Sequence, residues 1–361
     1  MSRLNVTARA DGRFAATVNH AGKRRYVYGR TEAEARRKAN DLLASLGKAG
    51  ALPNAGRRTV ADLLDVWLAS ADLRPKTRHG YGQLLARVRP VLGGCRLDKL
   101  EPSTLSALYA ELAATSKRTA ARTHAVLHRA FRLAVLWGWL ATNPADRVLR
   151  PAYRPERRDV WDAAQVRAFL AGTAEHWLGP LWAVAIGTGC RLSELAGLRW
   201  DDVDLSAGTL TVRRTVQRIG GQWVEGEPKT SAGRRGITLP PFAVAALHRQ
   251  RALVAERRLR YGTQWLDDGG AVFPGGRGGP LRPDTAQHAM AHEVERLGLP
   301  KLTPHGLRHL HASLLLDAGE PLPAVSARLG HANANITAGI YAHRVGDADR
   351  RAADALGQAI G

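Results

Sequence analysis

The chain has 361 residues, of which 45% are hydrophobic, so it is long enough for two or three folded domains and is neither disordered nor fibrous. Lysines and arginines number 53 against 32 aspartates and glutamates, which gives a formal net charge of +21. This balance favours a polyanionic partner. Because the arginines run through the whole length instead of one amphipathic segment, nucleic acid is favoured over a membrane surface.

The first residues, MSRLNVTARADGRF, contain no apolar targeting segment, and the most apolar stretch, residues 133–141, is too short to cross a bilayer. A cytoplasmic protein without membrane contact is therefore expected. Cys95 and Cys190 lie far apart without metal-ligand spacing. They predict neither a disulfide framework nor a metal site, and both are interpreted as small core side chains.

Residues 1–50 are predicted to form a small sheet-plus-helix unit. β-forming residues at 13–18 and 25–28 flank a turn at 19–23, and Thr31 with Glu34 forms a helix-starting capping box. Such a unit can lay a strand face against DNA, although solvated hairpin charges explain the pattern equally well. The candidate DNA-binding residues of this unit are Lys23, Arg24, Arg25 and Tyr26.

A Gly-, Ala- and Pro-rich linker at 51–58 leads to a predicted all-α domain at 59–147. Its predicted helices span 59–70, begin again at Thr77, and span 103–114 and 116–139. Basic residues stud the last helix, a pattern that suits a clamp on the DNA backbone, and a plain solvated face explains it nearly as well. These residues are Lys117, Arg118, Arg122, His124, His128, Arg129 and Arg132.

A second, Pro-punctuated linker at 148–158 precedes a mixed α+β domain at 159–361. Helices are predicted at 163–173 and 177–186, strands at 209–216 and 236–239, and helices from there to the end. Residues 350–360 are predicted to form a short amphipathic helix that can pack on its own domain or on a neighbouring protomer.

Two motifs in the first half of this domain suit phosphate chemistry. GTGCRLSEL at 187–195 places Arg191 in the first turn of a helix, where a guanidinium and backbone N–H groups can hold a phosphate. Glu194 can pin Arg191 as a buried ion-pair partner. EPKTSAGRR at 227–235 is interpreted as a β-hairpin loop, and its Lys229 can donate a proton to a leaving alkoxide, although most hairpin lysines are only solvated.

Two further motifs follow near the C-terminus. In TPHGLRHLHASLLL at 303–316, His305 and Arg308 are three residues apart on one predicted helix face. ARLGHANANITAGIYAH at 327–343 contains His331 and then Tyr341. A phenol, whose unperturbed pKa is about 10, becomes a nucleophile only where cations or hydrogen bonds assist its deprotonation. Without those neighbours Tyr341 would be an ordinary packed tyrosine.

Five shorter motifs lie within these segments in the order TGCRLSEL, EPKTSAGRR, HGLRH, LGH and IYAH, and they resemble those of the tyrosine recombinases, in particular the phage-type integrases. The resemblance implies a multidomain fold, mainly α with small β-sheets. Its N-terminal unit is similar to an arm-site-binding domain, its central helices to a helical, SAM-like core-binding domain, and its last domain to the catalytic domain. By the same resemblance the catalytic residues are Arg191, Lys229, His305, Arg308, His331 and Tyr341, and Glu194 is the supporting residue that the ion-pair interpretation adds.

The resemblance also implies a reaction, a substrate and partners. Tyr341 would join the 3′ phosphate of double-stranded DNA at attachment sites, without a metal or other cofactor, and the sequence contains no GxxxxGK[ST] nucleotide-binding motif. A tetramer on DNA, with DNA-bending or excisionase accessory proteins, would integrate or excise a mobile element such as a prophage. The alternatives are a type IB topoisomerase, a chromosome- or plasmid-resolving recombinase, and a catalytically silent DNA-binding regulator.

Overall fold

The structure, a computed structural model, describes residues 5–9, 12–20, 23–48, 58–153, 160–228, 233–266, 269–330 and 356–357. The chain divides into two compact units, Met1–Glu156 and Arg157–Gly361. The predicted boundary between residues 50 and 59 lies inside the first unit and stays a prediction. Within the described ranges, no helix has both the length and the apolar character that a membrane span requires.

The N-terminal residues form a three-stranded antiparallel sheet covered by one helix. The strands β1 (Asn5–Ala8), β2 (Phe14–His20) and β3 (Lys23–Gly29) lie in that order, and α1 (Glu32–Lys48) follows. β2 and β3 are the predicted hairpin, whereas β1 was not predicted because four residues give too short a pattern. Ala16 and Val18 pack with Ala35 of α1 in the core. The strand alternation therefore places Tyr26, opposite Thr17, on the other face of the sheet.

The rest of the first unit is helical, with its core between the helices. Its elements are α2 (Val60–Ser70), α3 (Pro75–Leu92), α4 (Pro102–Thr115), α5 (Lys117–Leu136) and 3₁₀ turns at Leu97–Lys99 and Pro144–Arg147. Thr59 caps α2 in a capping box with Asp62. The predicted start of α3 at Thr77 was wrong, because the helix begins with Pro75 at its favoured first position. α5 ends before the predicted residue 139 because Gly138 adopts a positive φ.

The second unit is built around one fully buried helix. Its helices are α6 (Ala163–Gly172), α7 (Gly179–Thr188), α8 (Leu192–Ala196), α9 (Pro241–Tyr261), α10 (Pro283–Arg296), α11 (Pro304–Asp317) and α12 (Leu322–Leu329), with 3₁₀ turns at Trp200–Asp202 and Gly262–Gln264. Every residue of α7 is buried, as expected for a helix that is apolar on all sides. It packs against α9 and α11.

Two small sheets complete this unit. β4 (Val203–Asp204), β5 (Thr209–Val212) and β8 (Arg235–Thr238) form one, and β6 (Thr215–Ile219) pairs with β7 (Gln222–Gly226) in the other. The predicted single strand at 209–216 is thus two strands of different sheets, interrupted where Arg214 turns to bind Asp202. β7 was missed because its residues are mostly exposed and carry no apolar alternation.

The segment that contains Lys229 therefore joins β7 to β8, which belong to different sheets, and the predicted β-hairpin loop was wrong. β8 instead pairs directly with β5, with Val212 opposite Arg235. The predicted fold class, mainly α with small β-sheets, is confirmed. The predicted helix at 350–360 lies outside the described residues except for 356–357.

Candidate active site

The site begins at the turn that follows α7. Gly189 ends the helix in the left-handed conformation with φ 64°, and a β-carbon there would lie 2.7 Å from the side chains of His311 and Leu329. Glycine satisfies both demands because it lacks a β-carbon and tolerates positive φ. The chain then leaves the core through Cys190 and reaches Arg191, the N-cap of α8, one position before the predicted first turn.

Arg191 is held by Glu194, as the ion-pair interpretation predicted. Glu194 accepts hydrogen bonds from the Arg191 main-chain N–H at 2.9 Å and from its Nη1 at 2.6 Å. The Glu194 side chain is only 1% exposed, whereas that of Arg191 is 37% exposed. The carboxylate is therefore buried, while the guanidinium that it orients reaches solvent and can meet a ligand.

Arg235, which was not predicted as a site residue, shares the same carboxylate. Its Nη2 donates to Glu194 Oε2 at 3.0 Å, and its side chain is 7% exposed. Burial works to raise the pKa of Glu194, but the charge and hydrogen bond of Arg235, followed by Arg191, outweigh it and lower the pKa. A sequence signal existed: Arg235 stands two positions before the buried Ile237, on the inward side of β8.

Arg308 joins the site from α11, which Thr303 caps and Pro304 begins. Its Nη1 donates to the carbonyl of Gly189 at 2.8 Å and its Nη2 to the carbonyl of Leu329 at 2.7 Å. Burial, followed by the charge of Arg191, lowers the pKa of Arg308 to about 10, so the group remains protonated at neutral pH. The Arg191 and Arg308 motifs, far apart in the sequence, thus meet at one turn.

His311, one turn further along α11, is buried and structural in its contacts. Its Nδ1 lies 2.7 Å from the carbonyl of Ile186, so Nδ1 carries the proton, and its Nε2 accepts a hydrogen bond from Arg328 Nε at 3.1 Å. Burial lowers the pKa of His311 to about 4, and the charges of Arg328, Arg308 and Arg235 act in the same direction. The ring is therefore neutral at pH 7.

Arg328 completes the buried set from the last turn of α12. Its Nη2 donates to the carbonyls of Gly187 at 3.0 Å and Thr238 at 2.9 Å, which ties α12 to α7 and to β8. Burial lowers the pKa of Arg328. The chain then turns at Gly330, whose φ is 67°, toward the segment that begins with His331.

Of the remaining predicted catalytic residues, the structure describes only one. His305 is exposed in the first turn of α11, with its ring edge-on to His309 at 4.9 Å, whereas Arg308 of the same helix is buried. Lys229, His331 and Tyr341 lie outside the described residues. The structure brings together Arg191, Glu194 and Arg308 of the predicted set and adds Arg235, His311 and Arg328.

The electrostatic character of this cluster suits an anion. Four guanidinium groups face one carboxylate and one neutral imidazole, which leaves three positive charges among the described residues. In a partly buried site such charge binds a phosphate group and stabilises the charge that builds up when the phosphate is attacked. Among the residues that the structure places, no group of histidines, cysteines and carboxylates has the arrangement of a metal site.

The predicted basic face of α5 is largely exposed. Lys117, Arg118, Arg122 and Arg129 all reach solvent. At 100° per residue the three arginines lie on one side of the helix. Arg129 Nη1 donates to Tyr81 Oη of α3 at 2.9 Å, which extends this side onto the neighbouring helix.

Two details of the predicted DNA-binding set need correction or restriction. His124 does not belong to the basic face, because it is buried with its ring edge-on to Tyr109 at 5.3 Å. In the N-terminal sheet Tyr26 is 54% exposed, as a DNA-contacting residue requires. The structure describes only the backbone of Lys23, Arg24 and Arg25, within β3.

Comparison with known proteins identifies the relatives of this chain. The model of the phage integrase family matches residues 161–346. A tyrosine recombinase XerC-like protein of Caldanaerobacter subterraneus subsp. tengcongensis is 28% identical over 345 residues, covering 89% of this chain and 88% of the relative. An integrase of Streptomyces ambofaciens is 29% identical over 356 residues, with 92% and 90% covered.

Solved structures share the fold. The integrase of transposon Tn1549 in complex with circular intermediate DNA superposes with a TM-score of 0.70 at 24% identity, over 82% of this chain and 99% of that chain. A λ integrase dimer bound to a COC′ core site gives 0.59 at 19% identity, over 93% and 94%. Since the family match covers more than half of the sequence, the chain belongs to the phage integrase family and is a tyrosine-type site-specific recombinase.

Proposed function

We propose that this recombinase integrates or excises a mobile DNA element, such as a prophage, by cutting and rejoining double-stranded DNA at attachment sites, with Tyr341 as the nucleophile. The observation that carries the proposal is the turn at Gly189. Arg308 donates to the Gly189 carbonyl, and Arg191, two residues after Gly189, is held by its ion pair with Glu194. Two guanidinium groups are thereby held at one place for one phosphate.

In the proposed cleavage step the Tyr341 oxygen attacks the scissile phosphorus and the bond from phosphorus to the 5′ oxygen breaks. The phenol proton passes to a neighbouring base or to water, and Lys229 gives a proton to the departing 5′ oxygen. Arg191 and Arg308 stabilise the negative charge on the non-bridging oxygens. His305 and His331 assist proton transfer or donate hydrogen bonds to the phosphoryl group.

Rejoining reverses this step with a different strand. A 5′ hydroxyl attacks the 3′ phosphotyrosine, the DNA backbone is restored, and Tyr341 regains its proton. Because the phosphotyrosine bond retains the energy of the broken phosphodiester, the cycle needs no nucleoside triphosphate.

DNA would be brought to this chemistry by the first unit. The exposed arginines of α5 suit the phosphate backbone, and Tyr26 with the basic residues of β3 suits a separate arm site. A λ integrase structure is a tetramer bound to a Holliday junction, at 19% identity to this chain. We infer the same assembly here, acting at the nucleoid in the cytoplasm, with DNA-bending or excisionase proteins as accessory partners.

A chromosome- or plasmid-resolving recombinase is the second candidate function, because one relative is named a XerC-like tyrosine recombinase. The N-terminal sheet unit favours the mobile element, since an arm site serves to choose between integration and excision. Recombination between two plasmid-borne sites distinguishes the two candidate functions. A resolving enzyme acts on identical core sites alone, whereas an integrase requires the arm sequences as well.

The nucleophile assignment is tested on a nicked suicide duplex. After cleavage the short fragment with the new 5′ hydroxyl diffuses away, which leaves the protein covalently attached to the 3′ phosphate of the remaining DNA. Tyr341→Phe should bind this duplex normally and give no covalent complex. Tyr261→Phe, in the same unit at the end of α9, is the matched control and should give the full yield. Covalent trapping by Tyr341→Phe would remove Tyr341 from the mechanism.

A further inference from the structure

Arg235 connects three parts of the second unit. Its Nη2 reaches Glu194 Oε2 at 3.0 Å on α8, its Nε donates to the Arg328 carbonyl at 2.7 Å on α12, and its Nη1 donates to the Gly233 carbonyl at 3.1 Å. The side chain is 7% exposed, so water does not compete for these bonds. One buried guanidinium therefore binds the carboxylate that holds Arg191, the end of α12, and Gly233, four positions after Lys229 in the sequence.

We propose that Arg235 is a positioning residue of the strand-cleavage reaction: it fixes Glu194, and through it Arg191, against the end of the helix that leads into His331. This inference rests on the proposed function, because it takes Arg191 as the group that stabilises the attacked phosphate. Arg235 itself lies behind Glu194 and acts through it.

The shape of the guanidinium explains why arginine is required here. Its donors point along fixed directions in one plane, so one side chain reaches a carboxylate on one element and a carbonyl on another. A lysine ammonium can stay charged beside Glu194, but its single nitrogen cannot reach both Glu194 and the Arg328 carbonyl with that geometry. Arg235→Lys thus removes the connection and keeps the charge.

The end of α12 explains why the connection matters. The last carbonyls of a helix have no partner within it and carry its partial negative charge. Arg235 satisfies the carbonyl of Arg328 and Arg308 satisfies that of Leu329. Both guanidinium groups thereby hold the two residues that precede Gly330, the residue before His331 in the sequence.

The matched control is the neighbouring Arg234. Its side chain is 60% exposed and its partner, Glu227, is 76% exposed. An exposed pair of this kind contributes little to stability. Arg234→Ala removes one arginine from the same segment without removing a buried contact, and we expect unchanged cleavage.

The experiment measures covalent trapping of Arg235→Lys on three nicked suicide duplexes. One has a normal phosphate, one a methylphosphonate without the non-bridging charge, and one a bridging sulfur at the 5′ position, whose leaving thiolate needs no proton. On the normal duplex we expect a loss of about 100-fold, as for a misplaced catalytic group. On the methylphosphonate the loss should shrink at least tenfold, and on the sulfur-bridged duplex it should persist.

Several outcomes would overturn the inference. A folded Arg235→Lys that cleaves the normal duplex like the parent protein shows that the position is dispensable. An equal loss on all three substrates indicates a general structural defect, and rescue by the bridging sulfur places the effect on Lys229 instead of Arg191. Thermal unfolding is recorded for each variant. If Arg235→Lys does not fold, Arg235→Gln, which keeps planar donors without a buried charge, is measured in its place.

Two parallel variants separate this inference from the proposed function. Tyr341→Phe must abolish trapping and Arg191→Ala must show the methylphosphonate effect. If either fails, the proposed function fails with it. If both behave as expected and Arg235→Lys matches the parent protein, the role of Arg235 alone is wrong.

Discussion

Replacing Glu194 with glutamine should both destabilise the second unit and slow cleavage of the DNA strand. The two oxygens of this carboxylate accept three hydrogen bonds, two from Arg191 and one from Arg235. A glutamine can keep its carbonyl toward the Arg191 main chain and Arg235. Its NH₂ group then faces Arg191 Nη1, where the carboxylate oxygen stood at 2.6 Å, and two donors repel each other. Arg191 is pushed from its place.

The size of the effect follows from the exposure of the two arginines. Arg191 is 37% exposed and can turn to solvent, so its lost pairing costs little. Arg235 is 7% exposed and keeps a buried charge without a carboxylate. Removing one partner of a buried ion pair costs roughly 3–5 kcal/mol, and the mobility of Arg191 favours the lower end. For a unit of this size about 3 kcal/mol lowers the Tm by roughly 6–12 °C.

Asp202→Asn is the matched control, because Asp202 is also 1% exposed and binds Arg214 at 2.6 Å. It likewise accepts a main-chain N–H three positions earlier, from Arg199 at 3.1 Å. Scanning calorimetry should show a similar loss of stability in both variants. Covalent trapping on the nicked duplex should fall about 100-fold only for Glu194→Gln. A Tm within about 2 °C of the parent protein, or equal loss of trapping in both variants, would refute the reasoning.

Three further predictions concern separate groups. Burial lowers the pKa of His311 to about 4, so the stability that its neutral ring contributes is complete above pH 6.5 and is lost as the pH falls toward 4. Between these two pH values the free energy of unfolding in urea should fall by about 3 kcal/mol less for His311→Gln than for the parent protein. Parallel curves of unfolding free energy against pH would contradict this. Burial raises the pKa of Cys190 to about 11, so iodoacetamide at pH 8 should modify the partly exposed Cys95 first, and equal rates would be inconsistent with the buried thiol. Arg122→Ala should reduce the slope of log K for DNA against log salt by about 1, whereas the paired, exposed Arg260→Ala should leave it unchanged.

The helices were predictable because their signals are local. A capping residue such as Thr59, a proline at the first position and an apolar periodicity all lie within a few residues of each other. The sheets were less predictable, because pairing is decided between distant segments. β5 pairs with β8 across the whole β6–β7 hairpin, and the strand pattern at 209–216 gave no sign that the chain changes sheets at Arg214.

The site divides in the same way. Arg191, Glu194 and Arg308 were predictable because each belongs to a motif with its own local geometry. Arg235 was missed because it belongs to no such motif: the one signal that distinguishes it from Arg234 is its spacing of two residues from Ile237, and that signal holds only if both lie on one strand. His124 was misplaced for a related reason: on a helix with many basic residues, burial against Tyr109 is a property of the packing of α4 and α5.

The chemistry of the cluster depends on what binds its arginines. Arg308 and Arg328 are held by main-chain carbonyl groups, and Arg235 by carbonyls as well as by Glu194, the one carboxylate among the described residues of the cluster. A carbonyl satisfies an N–H donor and fixes its direction, but it cancels no charge. If each guanidinium were instead paired with a carboxylate, the geometry would be retained and the positive potential lost. Burial without neutralisation opposes the charged form, which is why the pKa of Arg308 is lowered to about 10. In the proposed reaction a DNA phosphate would supply the missing negative charge, so the burial that disfavours the charged arginines in the free protein would favour the phosphate, and most of all when attack has increased its charge.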